Sequence, residues 1–220
     1  MRLSWLVLVA AAVSCSGGDP PELDDPDVPP HSANPDGVPY PTDHIGSHAR
    51  SGKNPGDRIP NLTFQAYVDG DKSKLQTVSL ADFFDPQAKK YKLLHIEGSA
   101  TWCVICGSVA DATTIVAPAY APKGVVYLEV IVSGQKQFKG PSGDEVTGWI
   151  DAHHSNFTTA YDVRARRMST IGVDGSVMPY DVYVDLRTME IIESSGGAPS
   201  DIGVYDAQKL REVESRPPAY

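Results

Sequence analysis

Two runs of residues that are apolar on both faces constrain the fold of this chain more than any other feature. Residues 91–98 read YKLLHIEG, and residues 125–132 read VVYLEVIV. Strands with this pattern are typical of the inside of a sheet that is covered on both faces. Between the two runs, from Cys106 to about Tyr120, apolar residues recur at helical spacing. The sequence therefore predicts a strand, a helix and a second strand at the centre of an α/β protein.

The remaining segments extend this pattern. Residues 62–68 alternate like a strand, residues 145–153 and 205–214 have helical spacing, and residues 180–194 form a plausible hairpin across Arg187 and Thr188. Residues 59–220 are enough for one domain with a single core. The order of the elements predicts an α/β sandwich with a mixed sheet, an architecture that names no function by itself.

The amino terminus has the features of an export signal. Arg2 precedes an apolar run over residues 3–13, which is too short to cross a bilayer but fits the hydrophobic part of a signal peptide. The run ends at Ser14-Cys15, which resembles a bacterial lipobox. We therefore expect residues 1–15 to be a lipoprotein signal, with Cys15 as the lipid anchor. The protein would then face the periplasm from a membrane of the bacterial cell envelope.

The next segment is rich in proline and acidic residues. Residues 16–60 contain 10 of the 18 prolines, and the first 25 residues of this segment carry six acidic side chains and no lysine or arginine. Such a composition buries too little apolar surface to offset the entropy of ordering, so the sequence predicts a flexible tether over residues 16–58. The formal net charge of the chain is −9, and it has no run of basic residues, which gives no reason to propose nucleic-acid binding.

The stretch SATWCVIC, residues 99–106, contains two of the three cysteines. A zinc site would need a second ligand pair, but no other cysteine pair remains, and the adjacent histidines 153 and 154 point apart on a helix. Covalent haem attachment would need a histidine where Gly107 stands. Two buried structural thiols and a redox-active pair remain. The sequence thus predicts no metal and no cofactor beyond the Cys103–Cys106 pair itself.

The position of the pair favours redox chemistry. Cys103 follows a buried strand and opens an apolar helix, where unpaired N–H groups favour a thiolate. Cys106 lies one turn later on the same side and could attack a mixed disulfide formed at Cys103.

At this point the residues resemble a family. Trp102 to Cys106, read as WCVIC between a central strand and a helix, is similar to the active-site motif of the thioredoxin superfamily. The tether, the LADFF stretch and the Met178-Pro179 dipeptide before a strand resemble its membrane-tethered TlpA/ResA-like branch. This resemblance implies a thioredoxin-like three-layer sandwich, with extra amino-terminal strands and an insertion before a cis-proline hairpin. It also implies a thiol–disulfide oxidoreductase that acts on cysteine pairs of envelope proteins.

The resemblance implies a role for each motif residue. Cys103 is expected to be the exposed nucleophile and Cys106 the buried resolving thiol. Trp102 would offer an apolar contact surface, while Met178 and Pro179 would bind an extended substrate by strand addition. Glu97 lies where thioredoxins keep a buried acid, and it could relay the proton of Cys106.

Two neighbouring residues have less specific interpretations. His95 is on the same strand face as Glu97 and is expected to be a core residue with its hydrogen bonds satisfied. Glu129 lies in the apolar run of the next strand and could approach Glu97, in which case one proton would be pushed onto the pair.

The sequence also departs from the family. Val104 and Ile105 stand between the cysteines, where related motifs often have proline, and an apolar pair adds no positive charge to the nucleophile. We expect a reductase or isomerase more than a strong oxidant. The sequence argues against a peroxiredoxin, because Ile96 and Ala100 occupy the places of its proline and threonine. The alternatives are a non-enzymatic Cu(I) metallochaperone and an interaction module with a purely structural disulfide.

Overall fold

A computed structural model describes residues 20–217 of the chain. The predicted signal sequence and the predicted lipid anchor, Cys15, lie outside the described residues. Seven strands form one sheet: β1 (Thr63–Tyr67), β2 (Leu75–Ser79), β3 (Leu93–Ala100), β4 (Val125–Ser133), β5 (Thr158–Tyr161), β6 (Tyr180–Asp185) and β7 (Glu190–Gly196). Three α-helices accompany it: α1 (Val104–Tyr120), α2 (Gly143–His153) and α3 (Ile202–Ser215).

The sheet is mixed, as the sequence predicts. Its strand order is β2-β1-β5-β4-β3-β6-β7; the neighbouring pairs β3–β4 and β4–β5 are parallel, and the other four neighbouring pairs are antiparallel. β6 and β7 are antiparallel and follow each other across the tight turn at Arg187 and Thr188. The two strands with apolar faces, β3 and β4, are neighbours near the middle of the sheet, so all eight residues of β3 are buried.

The two faces of the sheet are covered differently. On one face, Leu93 and Tyr183 pack against Ala117 of α1 and Leu210 of α3, and α2 lies beside α1, with the Thr114 hydroxyl bonded to its carboxyl end. The opposite face packs instead against short 3₁₀ helices at Val163–Ala165 and Met168–Ile171 and against the amino-terminal segment. The third layer of the sandwich is therefore built mainly from turns and extended chain, although the pattern of β3 and β4 is the same on both faces.

Helix α1 carries the cysteines at its first turn. Among residues 20–217, one segment, Val104–Lys123, is long and apolar enough to cross a membrane by length and composition, with a mean hydropathy of 1.3. In the fold this segment packs on the sheet, with Ala110 and Ala117 buried, while Ile115 faces outward at 78% exposure.

The acidic start of the amino-terminal segment binds to arginines of the domain. Glu22 forms an ion pair of 2.9 Å with Arg164, and Asp25 forms one of 2.6 Å with Arg167. The backbone N–H of Leu23 donates to the carbonyl of Pro141 at 2.8 Å. The structure therefore differs from the flexible tether that the sequence predicts, because specific charge pairs hold a segment whose average composition suggests no order.

The end of the same segment is anchored in the core. Arg58 is fully buried, donates to the carbonyl of Thr188 and pairs with Asp43 at 2.9 Å. Asn34 donates to the carbonyl of Phe84 at 2.8 Å, on the far side of the predicted domain boundary. These contacts make residues 20–58 part of the packed structure.

Candidate functional site

The two cysteines of SATWCVIC lie where β3 passes into α1. Cys103 is the N-cap residue of α1, with extended backbone angles, and its Sγ accepts a hydrogen bond of 3.1 Å from the backbone N–H of Cys106. The structure joins the two residues in a disulfide with a Cα–Cα distance of 5.3 Å, within the usual range for such bonds. The sulfur of Cys103 therefore lies at the positive end of the helix dipole.

The two sulfurs differ in access. Cys106 is fully buried, whereas Cys103 is 6% exposed and lines an open groove of about 320 Å³. The sequence predicts an exposed Cys103 and a buried Cys106, whereas the structure buries both and leaves only Cys103 a small exposed fraction, at the wall of this groove. A partner arriving from solvent can reach Cys103 but not Cys106.

The groove beside Cys103 is lined by two tryptophans and a histidine–aspartate pair. Nδ1 of His153 lies 2.9 Å from Oδ1 of Asp111, and the His153 ring packs at 4.2 Å from the ring of Trp149. Gly107 keeps the groove open, since a Cβ atom there would lie 2.8 Å from Cε1 of His153. The sequence suggests His153 only as a candidate zinc ligand, and the helical pattern of residues 145–153 gives no sign that α2 faces the cysteines.

The predicted substrate-binding residues also lie around the pair. The Met178–Pro179 peptide bond is cis, and Pro179 is buried just before β6. Met178 and Trp102 pack against the apolar cluster that contains both cysteines. The indole N–H of Trp102 donates to Oγ of Ser133 at 3.2 Å, which fixes its ring beside the groove. The structure thus brings residues 102, 103, 106, 178 and 179 together.

Below the cysteines, two glutamates face each other on neighbouring strands. Glu97 of β3 and Glu129 of β4 are register partners, and their exposed fractions are 5% and 2%. Ser99 donates to Oε1 of Glu97 at 2.8 Å, and the indole N–H of Trp149 lies 3.0 Å from each carboxylate oxygen of Glu129. The approach of Glu129 to Glu97, which the sequence left open, is present.

Both carboxyl groups have a raised pKa. Burial, followed by the charge of Glu129, raises the pKa of Glu97 well above its usual value. Burial also raises the pKa of Glu129 to about 7, although its hydrogen bond from Trp149 acts in the opposite direction. At neutral pH, the pair therefore holds at least one proton.

His95 belongs to a second buried cluster on the same face. Its Nε2 lies 2.8 Å from Oδ1 of Asp181, and its Nδ1 lies 3.3 Å from Oδ1 of Asp206 without hydrogen-bond geometry. Burial alone would lower the pKa of His95, but Asp206 and Asp181 outweigh it and raise the pKa to about 10. His95 is therefore an imidazolium, with its ring stacked 4.3 Å from that of Tyr183. His95 is therefore buried in the core as expected, but only its Nε2 is hydrogen-bonded within the described residues, so the expectation that its hydrogen bonds are satisfied holds for one ring nitrogen only. The sequence gave no signal for Asp206, which comes from α3.

A small cavity joins the two clusters. It has a volume of about 10 Å³, roughly the space of a single water molecule, and is lined in part by His95, Glu97, Thr113 and Glu129. Within residues 20–217, no group of three or more His, Cys, Asp or Glu side chains is arranged to hold a metal ion.

Comparisons with known proteins show which structures have a similar fold. The sequence matches no protein-family model and no curated protein. Its structure is similar to a Chlorobium tepidum protein assigned as the thiol:disulfide interchange protein DsbE, with a TM-score of 0.57 and 16% identity, over 74% of this chain and 99% of that one. It is similar to the exposed lipoprotein thioredoxin Etrx1 of Streptococcus pneumoniae, with a TM-score of 0.53 and 20% identity, over 70% and 99% of the two chains.

A third similarity is to AhpC of Enterococcus faecalis, with a TM-score of 0.56 and 12% identity, over 75% of this chain and 94% of that one. These likenesses show the fold, a thioredoxin-like α/β sandwich, as the sequence predicts.

Proposed function

We propose that this chain with a thioredoxin-like fold is a thiol–disulfide oxidoreductase whose reacting groups are Cys103 and Cys106. The observation that carries the proposal is the pair itself: a disulfide at a helix amino terminus, with Cys103 open to a groove and Cys106 buried beneath it. A structural disulfide has no need of an accessible sulfur, whereas exchange requires one sulfur that a partner can reach.

In the reducing direction, the Cys103 thiolate attacks one sulfur of a substrate disulfide. The substrate S–S bond breaks, its other sulfur leaves as a thiolate, and a mixed disulfide with Cys103 remains. Cys106 then loses its proton and attacks Cys103, which forms the Cys103–Cys106 disulfide and releases the second substrate thiolate. Two electrons pass from the dithiol to the substrate, and an external dithiol restores the reduced state. The oxidising direction is the reverse of these steps.

The surrounding residues suit this chemistry. Trp102, Met178 and the cis Pro179 border the cysteines and would hold an extended segment of the substrate. Glu97 is a buried carboxyl with a raised pKa, which suits a group that exchanges a proton with Cys106 near neutral pH. No cofactor other than the Cys103–Cys106 disulfide is needed.

The residues between the cysteines support a reductase or isomerase. Val104 and Ile105 are 84% and 57% exposed, and neither adds charge near Cys103. Without such a charge, the Cys103 thiolate lacks the stabilisation that makes a strong oxidant. The exposed apolar pair would instead contact the partner protein.

The predicted location is in the cell envelope. The apolar run at residues 3–13 and the lipobox-like Cys15 support export and lipid anchoring. The similarity of the fold to an exposed lipoprotein thioredoxin is consistent with this proposal. The substrates would then be cysteine pairs of extracytoplasmic proteins.

The test is reduction of a protein disulfide by the full-length chain carrying Cys15→Ser, with a dithiol as electron donor. The chain with Cys103 and Cys106 intact should accelerate the precipitation of reduced insulin. The Cys103→Ser variant should precipitate insulin no faster than the dithiol donor alone. Cys106→Ala should accumulate a covalent adduct through Cys103, visible on a non-reducing gel. If the chain neither accelerates reduction nor forms this adduct, it is not a thiol–disulfide oxidoreductase. Cu(I) binding that depends on both cysteines would then favour the metallochaperone.

A further inference from the structure

The two buried glutamates below the cysteines have too few donors to be ionised together. Glu97 accepts from the single hydroxyl hydrogen of Ser99, and Glu129 accepts from the single indole N–H of Trp149. The Ser99 hydroxyl also contacts Glu129, but one hydrogen serves one carboxylate at a time. Two carboxylates side by side in a dry site would repel each other strongly, so a proton must lie between the strands.

The nearby charged groups do not provide the missing positive charge. The His95 imidazolium lies between Asp181 and Asp206, and the charge of Asp181 raises the pKa of Glu97 more than the charge of His95 lowers it. Asp206 also accepts from the hydroxyls of Tyr127 and Tyr183. The other side chains facing the pair, Thr113 of α1 and Thr159 of β5, are neutral.

Trp149 connects the glutamate pair with the cysteines. Its ring belongs to the same buried cluster as Cys103 and Cys106 and lines the groove beside Cys103. Its N–H points to the carboxylate of Glu129, at 3.0 Å from both oxygens. Trp149 therefore holds Glu129 in the orientation that favours its ionised form.

We propose that Glu97 and Glu129 work as one proton-holding unit, in which Glu129, oriented by Trp149, is the positioning residue that lets Glu97 take up the proton of Cys106. This inference rests on the proposed thiol–disulfide exchange. In the resting protein the pair holds one proton and a net charge of −1. When Cys106 attacks the mixed disulfide, its Sγ–H proton passes to the pair, which becomes neutral, and the Cys106 sulfur forms its bond to Cys103. The reverse reaction returns the proton to Cys106.

The electrostatics of the pair are consistent with this role. Burial raises the pKa of both carboxyl groups, that of Glu129 to about 7, so the pair as a unit can take up a second proton near neutral pH. A single buried carboxyl would be either fully ionised or neutral. A pair of carboxyls keeps one shared proton throughout the reaction, and only a second proton is taken up and released.

The two chemical steps can be observed separately with 5,5′-dithiobis(2-nitrobenzoate) and the reduced full-length chain carrying Cys15→Ser. Attack by Cys103 releases the first coloured thiolate, and resolution by Cys106 releases the second. In Glu129→Gln, we expect the second release at pH 7 to slow by about 10- to 100-fold, while the first changes less than about two-fold. In wild type, the rate of the second release should change with pH near pH 7. In Glu129→Gln, this change should be absent.

Trp149→Phe and Glu212→Gln complete the set. The phenylalanine keeps an aromatic ring, smaller than the indole, but removes the N–H donor. The change in rate near pH 7 should therefore move to higher pH, because ionised Glu129 is less stabilised. Glu212 is a half-exposed carboxyl of α3 bonded to Lys209, so its substitution should change neither release. The proposal is overturned if the folded Glu129→Gln and Trp149→Phe variants keep the wild-type rate and pH profile of the second release.

A titration of the carboxyl groups separates this proposal from the proposed function. In the oxidised protein, ¹³C NMR of labelled glutamates should show two coupled steps for the pair, and Glu97 should titrate at lower pH in Glu129→Gln. Two independent titrations at ordinary glutamate pH values would refute the shared proton, whatever the enzymatic result. Coupled titration without any thiolate release from dithiobis(nitrobenzoate) would instead refute thiol–disulfide exchange and, with it, the transfer to Cys106.

Discussion

Single residues set the chemical character of the site. Cys103 is reachable and Cys106 is not, since the groove is lined by the first cysteine while the second is fully buried. The residues between them point outward, with Val104 exposed by 84%. In the proposed reaction, a partner protein would meet an apolar surface next to Cys103, and burial of that surface would contribute to binding.

His95 should make the stability of the protein depend on alkaline pH. Its pKa is raised to about 10 in the folded protein by Asp206 and Asp181, against 6.5 for the free side chain. A raised pKa stabilises the fold fully below pH 6.5, and this contribution is lost as the pH rises through 10. We expect the difference in free energy of unfolding between wild type and His95→Gln to shrink by about 2 to 4 kcal/mol between pH 6 and pH 10.

Urea unfolding at pH 6, 8 and 10 measures this difference. Titrations of other groups are common to both proteins, so they cancel in the comparison. A difference that stays constant from pH 6 to pH 10 would mean that His95 is not an imidazolium in the folded state.

The residues of the motif were predictable, but their buried partners were not. The position of the cysteines between a strand end and a helix start is read from the residues, whereas the roles of Glu97, Met178 and Pro179 are implied by the resemblance to the thioredoxin superfamily. Glu129 could be considered because alternation puts it on a known strand. Trp149 and Asp206 could not, since their contacts depend on how α2 and α3 pack on the sheet, which no local pattern specifies.

At the scale of elements, the central strands and all three helices follow from periodicity, and their observed bounds differ from expectation by a few residues. Strand β2 was not identified from its residues, because LQTVS is short and largely polar and pairs only with β1. The second face of the sheet was also not foreseen. Apolar residues on that face require a cover, but they do not specify whether it is a helix or extended chain.

The contact between the amino-terminal segment and the turn after β5 should contribute to stability through one arginine. Arg167 lies between Asp25 and Asp162, and all three side chains are at most 11% exposed. In Arg167→Ala, the buried carboxyl of Asp162 loses its ionic partner and that of Asp25 keeps only the more distant Arg166. We therefore expect the free energy of unfolding to fall by about 2 to 4 kcal/mol. Arg166 is the matched control, because its side chain is 48% exposed and lies 3.7 Å from Asp25.

Arg166→Ala should cost at most about 1 kcal/mol, as surface ion pairs usually do. Thermal unfolding of the two variants side by side gives the comparison. Equal losses would show that the amino-terminal segment does not hold Arg167 in a buried site.

At the scale of the whole molecule, the question is whether the folded unit begins near residue 59 or near residue 20. Composition suggests a tether, whereas the structure ties residues 20–58 to the domain by ion pairs at one end and by buried Arg58 at the other. The disagreement arises because composition reports the average polarity of a segment. It does not report whether its few apolar and charged side chains each find a partner.

Truncation decides between the two descriptions. A chain that begins at Ile59 loses the contacts of Asn34, Tyr40 and Arg58, and it leaves Arg167 without Asp25. We expect its Tm to be lower by about 6 to 12 °C than that of a chain beginning at Pro20, which corresponds to at least about 3 kcal/mol for a domain of this size. The Cys103–Cys106 disulfide should form in both chains, so that the comparison isolates the segment. Equal Tm values would show that residues 20–58 are a tether, because a segment that adds nothing to the stability against unfolding is not part of the cooperative unit.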